Sequence, residues 1–197
     1  MARPKGYDRH AVLVAARDLF WERGYEATSI TDLEHSTGLN RSSLYQEFGS
    51  KHDLFCAALD CYAEQVTAML LASLREDDAT LDAIVDFFRG LAAAFRASQT
   101  ESGRGCLMVN ATAELAARDE SIRPAAAAYR DRLRETFGAA LSRAAARGEI
   151  AAASVSARAR ILASTRMGIW LTVRIDASDA GALCEAVADE VDSWREC

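Results

Sequence analysis

The segment from Gly24 to Phe55 limits the fold of this chain more than any other, because three helix starts follow one another within it at short intervals. Ser29 and Ser50 each begin a Ser-x-x-Asp pattern that is typical of a helix N-terminus, and Asn40, between them, is a favourable N-cap. Glycines that can end a helix separate the three starts. Two short helices joined by a tight turn and followed by a longer helix can present one short helix to the major groove of DNA.

The rest of the chain has apolar residues at the three- and four-residue spacing of amphipathic helices. No segment has the features of a strand, so the sequence predicts an all-α fold of about nine helices, three short and six longer. The predicted spans are about 8–23, 29–38, 40–49, 50–75, 81–98, 106–117, 124–148, 154–174 and 180–195. A change in composition near Gly49 divides the chain into an N-terminal part, residues 1–49, and a C-terminal part, residues 50–197.

The composition indicates a globular protein. Half of the residues are hydrophobic and only two are proline, so the chain can bury a sizeable core. No apolar run approaches the roughly 18 residues that cross a membrane, and the N-terminus does not resemble a signal peptide. We therefore expect a cytoplasmic protein without membrane contacts. The scattered spacing of the cysteines favours small buried side chains over a disulfide framework. They are Cys56, Cys61, Cys106, Cys184 and Cys197.

The net charge of −6 does not by itself indicate nucleic-acid binding, but the charge is unevenly distributed. Residues 1–51 carry seven Lys or Arg and seven Asp or Glu, whereas residues 52–197 carry sixteen and twenty-two. Arg3, Lys5 and Arg9 precede or open the first helix, and Arg41 and Lys51 lie at later helix starts. An N-terminal surface can therefore be positive although the chain is acidic.

The predicted third helix carries side chains that are suited to reading DNA. Arginine and glutamine can make paired hydrogen bonds to base edges, and serine can contact a base or a phosphate. The candidate DNA-contacting residues of this helix are Asn40, Arg41, Ser42, Ser43, Tyr45 and Gln46. Thr28 and Ser29, at the start of the second helix, and Lys51, at the start of the fourth, are candidates for phosphate contacts. Helix-turn-helix spacing alone also arises from simple packing in alanine-rich helical proteins.

The order of residues in this segment resembles that of the TetR family of bacterial transcriptional regulators. The resemblance covers about residues 8–56 and rests on Gly24-Tyr25, Thr28, Gly38, Leu44-Tyr45, Phe48-Gly49-Ser50-Lys51 and Leu54-Phe55. Over the remainder it is weaker and rests on helical content, length and the segment from Gly105 to Ala111.

This resemblance implies a three-helix helix-turn-helix DNA-binding domain over residues 1–49 and a six-helix ligand-binding and dimerisation domain over residues 50–197. It also implies a homodimer on a palindromic double-stranded DNA operator, more often a repressor than an activator. The expected effector is a small molecule of unknown identity, and no cofactor or metal is expected.

The family pattern also implies roles for single residues. Thr28, Tyr45 and Lys51 would hold phosphates, and residues 40–46 would supply base contacts. One departure concerns Gln46 and Glu47, because many members carry His or Asn at the first of these positions and His at the second. A carboxylate at Glu47 would repel phosphates unless it turns away or accepts a hydrogen bond from a cytosine amino group.

Candidate ligand-pocket residues come from the middle helices, and each of them can instead be ordinary core. They are Cys61, Met69, Phe87, Leu91, Phe95, Cys106, Met108, Asn110, Tyr129, Met167 and Trp170. Asn110 is the most informative, because an amide in an apolar run needs a hydrogen-bond partner, which can be backbone, Glu114 or a ligand. The mixture indicates a small, mostly apolar ligand with a polar group.

Cys106 permits a second form of control. It follows Gly105 and is expected at a helix N-terminus, a position that activates thiols. Oxidation or electrophile modification of Cys106 is therefore an alternative to ligand control, and plain packing is the competing interpretation.

The last two helices are candidates for dimerisation as a four-helix bundle with their copies, and an intramolecular core is the competing account. Their apolar residues are Ile161, Leu162, Ile169, Trp170, Val173, Leu183, Val187, Val191 and Trp194. Two DNA-reading helices must lie about 34–36 Å apart to enter successive major grooves. The fourth helix, after the short Gly49-Ser50 junction, is the candidate lever by which a ligand changes this separation.

Two other classes of function are alternatives. An enzyme is disfavoured, because His10, His35 and His52 all lie in or beside the DNA-binding segment. A triad of Ser29, Asp32 and His35 would lie on a short surface helix without a pocket, and no Gly-rich phosphate loop or HExxH motif is present. A helical protein-interaction module without a DNA role is the remote alternative.

Overall fold

A computed structural model of the chain describes residues 6–97 and 102–195. Within these ranges the chain forms nine helices of eight or more residues and no strand, so the predicted all-α fold is confirmed. The helices are α1 (Arg9–Arg23), α2 (Ile30–Thr37), α3 (Arg41–Phe48), α4 (Lys51–Tyr62), α5 (Leu81–Ala97), α6 (Leu107–Leu115), α7 (Ile122–Ala146), α8 (Val155–Thr172) and α9 (Ala177–Asp192). Arg3, Lys5, Ser98 and Cys197, which entered the sequence analysis, lie outside the described residues.

Side-chain caps fix the starts of the short helices, as the sequence predicts. The Ser29 side chain accepts a hydrogen bond from the Asp32 N–H, and the Asp32 carboxylate accepts one from the Ser29 N–H, which completes a capping box. The Asn40 side chain caps α3 and the Ser50 side chain caps α4. Gly38 follows α2 with φ of 71°, and this left-handed conformation permits the tight turn before α3.

The first four helices share one apolar core. Phe20 of α1, Leu33 of α2 and Leu44 of α3 are buried in it. Phe55 of α4 packs edge-on against Phe20, with ring centroids 5.0 Å apart. The N-terminal turns of α4 therefore complete the packing of α1, α2 and α3, and they hold one side of α3 against the core.

The continuation of α4 differs from the single helix that the sequence predicts to about residue 75. It passes through a π-helical turn, Ala63–Thr67, a short α-helical segment, Ala68–Leu70, and a 3₁₀ turn, Ser73–Arg75. Leu71 and Leu74 are both fully buried. The chain therefore keeps apolar side chains in the core beyond the end of α4.

The helices α5 to α9 pack around an aromatic core. Phe88 of α5 stacks on Phe137 of α7 with ring centroids 5.9 Å apart, and Phe87 contacts the same ring edge-on. The helix α9 lies along α5, and Arg96 and Glu185 join the two at the surface with a 2.8 Å ion pair. In the described ranges no helix is both long enough and apolar enough to span a membrane.

Hydrogen bonds join the N-terminal helices to the C-terminal part. The Trp21 Nε1–H of α1 donates to the Gly105 carbonyl at 3.1 Å. The Glu114 carboxylate of α6 accepts from the backbone N–H groups of Tyr25 and Glu26 at 3.0 and 2.8 Å. Both ends of α6 are therefore tied to α1 or to the loop that follows it.

Candidate nucleic-acid interface and interior site

The helix α3 is packed on one side and open on the other. Leu44 and Phe48, four residues apart, are buried in the core of the N-terminal helices. Arg41, Ser42 and Gln46 are exposed, and together they form the open face of α3. The 3.6-residue helical period places Ser42 and Gln46 on the side of the helix opposite Leu44 and Phe48, and Arg41 is exposed as the first residue of the helix. Three of the side chains predicted to read DNA therefore project from the surface.

The polar residues around the open face are partly engaged within the helix. The Asn40 side chain accepts from the Ser43 N–H at 2.9 Å, so its amide oxygen serves the cap. The Arg41 guanidinium carbon lies 5.5 Å from the centre of the Tyr45 ring, and Arg41 Nη2 lies 3.5 Å from the Tyr45 hydroxyl. The half-buried Tyr45 therefore supports the arginine without neutralising its charge.

Ser29 and Lys51 lie at the starts of α2 and α4. The exposed Ser29 donates its hydroxyl to Asp32 at 2.5 Å, and the hydrogen bonds from Ser29 hold the pKa of the Asp32 carboxyl below its usual value. Lys51 Nζ lies 4.3 Å from the centre of the Tyr25 ring. Ser29 can therefore offer its hydroxyl to DNA only by exchanging this hydrogen bond, whereas Lys51 keeps its positive charge available.

Thr28 lies in a different environment from the predicted one. It is 0% exposed, and its hydroxyl donates to the Gly24 carbonyl at 2.6 Å. Its backbone N–H donates to the Tyr25 carbonyl at 3.3 Å. The predicted phosphate contact of Thr28 conflicts with this placement, because both of its donors are used inside the loop between α1 and α2. Thr28 instead stabilises the loop that leads to Ser29.

Glu47 turns away from the open face of α3. Its carboxylate accepts hydrogen bonds from Arg9 Nε at 2.9 Å and from the Tyr7 hydroxyl at 2.5 Å. Arg9 also lies over the Phe48 ring, 5.0 Å from its centre. The pairing with Arg9 neutralises the carboxylate that would otherwise repel phosphates. The sequence allows Glu47 either to turn away from DNA or to accept a hydrogen bond from a cytosine, and in this structure it turns away.

Most of the candidate ligand-pocket residues are buried side chains. They are Cys61, Phe87, Leu91, Phe95, Cys106, Met108, Asn110, Tyr129 and Trp170, and Met167 is half-buried. Met69 is 72% exposed, which contradicts its predicted interior position. The π-helical turn before it contains an extra residue and shifts the helical phase, so that Leu71 rather than Met69 takes the core position.

Three polar side chains meet in this interior. The Tyr129 hydroxyl lies 3.2 Å from Cys106 Sγ and accepts a hydrogen bond from Arg166 Nη1 at 2.5 Å. Arg166 is 0% exposed, and its Nε and Nη2 have no acceptor among the described residues. Burial raises the pKa of Tyr129 and of Tyr62 well above the usual range for phenols. Both phenols are therefore neutral near pH 7, and neither supplies a negative charge for Arg166.

Sequence reasoning missed Arg166, although the sequence contains a signal for it. The buried residues of α8 are Ala159, Leu162, Ala163, Arg166, Ile169 and Trp170. Arg166 lies in the middle of this stripe at the same three- and four-residue spacing as its apolar neighbours. An arginine in such a position must either find a partner inside the protein or bind a ligand.

The sequence allows backbone, Glu114 or a ligand as the hydrogen-bond partner of Asn110, and the structure shows a backbone partner. Its Nδ2 donates to the Arg104 carbonyl at 2.8 Å, while its Oδ1 has no partner among the described residues. Asn110 also lines a cleft of about 680 Å³ that includes Trp21, Glu114 and Arg174. This cleft lies where α1 meets α6 and the end of α8, outside the aromatic core.

Two family models match most of the chain. The model described as "Bacterial regulatory proteins, tetR family" matches residues 12–58, and the model described as "Tetracyclin repressor-like, C-terminal domain" matches residues 80–183. The chain belongs to the TetR family. The first match contains α2, α3 and the turn between them, which form the helix-turn-helix. Membership makes this chain a DNA-binding transcriptional regulator and not an enzyme.

Relatives of this TetR family chain support the assignment. The HTH-type transcriptional repressor ComR of Escherichia coli K12 is 42% identical over 109 residues, which are 55% of this chain and 51% of ComR, so the match spans about half of that relative's length. The HTH-type transcriptional regulator YezE of Bacillus subtilis 168 is 33% identical over 90% of this chain and 91% of YezE. A cysteine mutant of the TetR family regulator CifR, solved with 26-bp double-strand operator DNA, matches 99% of this chain and 100% of CifR with a TM-score of 0.76 and 28% identity.

The apolar residues predicted for the dimer interface of this TetR family chain divide into two groups. Leu162, Ile169, Trp170, Val173 and Val191 are buried within the chain itself. Ile161 is 57% exposed and Leu183 is 37% exposed, and Val187 and Trp194 are half-buried beside them. A groove of about 180 Å³ between α8 and α9 includes Ile161, Val187 and Trp194. In the parts of the chain that the structure describes, no group of three or more His, Cys, Asp or Glu is placed to hold a metal ion.

Proposed function

We propose that this regulator is a repressor that binds a palindromic double-stranded DNA operator as a homodimer and is released by a small-molecule effector. One observation carries the proposal: the open face of α3 presents Arg41, Ser42 and Gln46, while the other side of the helix is fixed in the core. The similarity to CifR, which was solved with operator DNA, supports the same use of α3 here. The proposal includes a cytoplasmic location, where a bacterial chromosome is accessible.

The proposed contacts follow from side-chain chemistry. Base edges are assigned to Arg41 and Gln46, whose paired donors and acceptors can distinguish base pairs, with the smaller residues Asn40, Ser42 and Ser43 beside them. Phosphates are assigned to the Tyr45 hydroxyl, the Lys51 ammonium and the N-terminus of α2 at Ser29. Thr28 supports these contacts indirectly by holding the loop before Ser29.

The proposed homodimer uses α8 and α9. Ile161 and Leu183 are large apolar side chains left exposed on these helices, and contact with a second copy would bury them. A symmetric pairing also presents two copies of α3 to a palindromic operator, with a separation of about 34–36 Å for successive major grooves.

The effector is proposed to bind in the C-terminal part and to favour a dimer in which the two α3 helices no longer fit successive grooves. The proposed lever is α4, because Phe55 packs on Phe20 near its start and the Tyr62 ring contacts the Trp21 ring at 5.0 Å near its end. Insertion of two glycines between Gly49 and Ser50 is expected to leave effector binding intact and to abolish its effect on DNA affinity. Release that continues unchanged in this variant would exclude α4 as the lever.

Control by oxidation or electrophile modification of Cys106 is the second proposal for release. Its support is weaker, because the thiol is fully buried against the Tyr129 hydroxyl and buried thiols react slowly. If the effector alone controls release, a Cys106→Ser variant should respond to mild peroxide and to electrophiles as the wild type does. A response that the wild type shows and the Cys106→Ser variant lacks would favour the thiol mechanism.

DNA binding tests the main proposal directly. Fluorescence anisotropy with the DNA upstream of the chain's own gene, measured over a series of salt concentrations, should show a steep salt dependence. Lys51→Ala is expected to weaken binding to all DNA sequences and to reduce the slope of binding against salt concentration by about 1. Arg41→Ala should reduce the free energy of operator binding by about 1–3 kcal/mol and relax the preference for sequence. Arg75→Ala removes an exposed arginine of the C-terminal part and is the matched control. If the protein binds the upstream DNA no more tightly than a scrambled sequence, the proposed operator is wrong. If all three variants lose the same DNA affinity, the losses come from the change in net charge and not from specific contacts.

A further inference from the structure

Arg166 is a charged side chain enclosed in the C-terminal part without a carboxylate partner. It is the largest of the fully buried side chains. The other buried polar residues of the described ranges are Thr28, Thr67, Thr80, Asn110 and Thr136, and none of them is acidic. Enclosing an unpaired guanidinium in apolar surroundings is costly, so a fold that does so without a compensating anion loses stability.

The donors of Arg166 are divided between two edges of the guanidinium. Nη1 donates to the Tyr129 hydroxyl at 2.5 Å. Nε and Nη2 lie together on another edge, and both lack an acceptor among the described residues. Two parallel N–H groups on one edge match the two oxygens of a carboxylate. Tyr129 therefore fixes the guanidinium in an orientation that leaves a two-donor edge available.

A third buried donor without an acceptor belongs to a residue of the same helix. Trp170 follows Arg166 by one helical turn, its indole Nε1–H is buried without an acceptor, and its ring centre is 5.8 Å from the guanidinium carbon. The Phe95 ring contacts the Trp170 ring edge-on at 5.3 Å. The site thus combines N–H donors that lack acceptors with an aromatic surface, which is the surrounding that an anionic group with an apolar body requires.

We propose that the effector is a small organic carboxylate, whose carboxylate group binds Nε and Nη2 of Arg166 and whose apolar part lies against Phe95 and Trp170. This inference deepens the proposed function and rests on it. A carboxylate is favoured over a phosphate dianion, because Arg166 is the one buried cationic residue in the described ranges and it neutralises a single negative charge.

The site is in contact with the segment that reaches the DNA-binding helices. Tyr129 joins Arg166 to Cys106, the N-cap residue of α6. The adjacent Gly105 lies so close to α8 that an added Cβ would be 2.9 Å from the Trp170 carbonyl oxygen. The Gly105 carbonyl accepts the Trp21 N–H of α1. A ligand that moves Arg166 or Trp170 therefore acts on a segment bonded to the N-terminal helices.

Thermal unfolding at constant ionic strength tests the inference with the sodium salts of acetate, butyrate, octanoate and benzoate, compared with chloride and inorganic phosphate. At about ten times its Kd, a bound carboxylate should raise the Tm by about 3–6 °C. Arg166→Met removes the charge at similar volume, so it should abolish this rise and leave the ligand-free Tm unchanged or higher. Arg158→Met, on the same helix but stacked on Trp194 at 4.5 Å, is the matched control and should retain the rise.

The outcomes separate the inference from the proposed function. A carboxylate response that needs Arg166 supports the site even if the protein fails to bind its upstream DNA, which would overturn the proposed function alone. If chloride or phosphate raises the Tm as much as the carboxylates do, Nε and Nη2 of Arg166 bind inorganic anions in general, and the proposal of a carboxylate effector is wrong. The absence of any anion response, or a response that survives in Arg166→Met, would overturn the site. A ligand-free Tm that falls in Arg166→Met, with no wild-type response, would show that the arginine is structural.

Discussion

Glu114 provides a test of how firmly the two parts of the chain are joined. Its carboxylate accepts backbone hydrogen bonds from Tyr25 and Glu26 at 3.0 and 2.8 Å. In Glu114→Gln one oxygen remains as an acceptor, while the new amide nitrogen cannot accept the second N–H. Hydrogen bonds to a charged group contribute about 1.5–3 kcal/mol each, and neutral ones about 1 kcal/mol. Because Glu114 is half-exposed and water can replace the lost partner, we expect the free energy of unfolding to fall by about 1–2 kcal/mol.

Urea unfolding measures this change. With a urea dependence of about 2 kcal/mol per molar, the midpoint should fall by about 0.5–1 M. Glu120→Gln is the matched control, because it removes the same charge from a side chain that is 91% exposed and close to α6 in the chain. The two variants must be compared at one protein concentration, since dimerisation makes the midpoint depend on concentration.

The same measurement can refute the reasoning. If the midpoints of Glu114→Gln and Glu120→Gln coincide, the two hydrogen bonds of Glu114 add no net stability, and α6 does not hold the loop between α1 and α2. If both midpoints fall equally below wild type, the effect belongs to net charge and not to these hydrogen bonds.

Three further predictions concern the hydrogen bonds of single side chains. Ser29→Ala removes the cap of α2 and should lower the free energy of unfolding by about 1 kcal/mol, measured by urea unfolding; an unchanged value would show that the cap is redundant. Thr28→Val removes the hydroxyl that donates to the Gly24 carbonyl and should lower the free energy of unfolding by about 1 kcal/mol. The salt dependence of DNA binding should stay unchanged, and a smaller slope would support the phosphate contact predicted from sequence. Hydrogen bonds from Ser121 hold the pKa of Asp119 below its usual value, so their contribution to stability is complete above about pH 4 and is lost as pH falls through the lower folded-state pKa. Asp119→Asn should therefore flatten the fall in unfolding midpoint below pH 4, and an unchanged pH profile would contradict this.

The parts of the fold that the sequence predicts correctly depend on residues close together in the chain. The caps at Ser29, Asn40 and Ser50 each use a backbone N–H only three residues later, so the pattern itself contains both partners. The turn at Gly38 likewise depends on one residue that tolerates positive φ. The burial of Leu44 and Phe48 and the position of Ser42 and Gln46 on the opposite side of α3 follow from the helical period alone.

The parts that the sequence does not predict depend on distant partners or on a change of helix type. Glu47 turns away because Arg9 and Tyr7, at the other end of the DNA-binding segment, hold its carboxylate. Met69 is exposed because the π-helical turn that precedes it shifts the helical phase. No sequence rule predicts where such a turn occurs. Sequence alone also cannot show whether a buried arginine such as Arg166 meets an acidic residue, since that partner can come from any other helix.

The helix α6 connects the interior site to the DNA-binding helices more directly than the sequence suggests. Cys106, at its N-terminus, contacts Tyr129 of the Arg166 cluster, and Glu114, near its C-terminus, holds the loop between α1 and α2. A helix of nine residues is stiff, so a displacement at one end reaches the other. The α4 lever and the α6 connection can be separated, because two glycines after Gly49 interrupt only the first. Effector-dependent release that survives this insertion but is lost in Glu114→Gln would assign the coupling to α6, and the reverse result would assign it to α4.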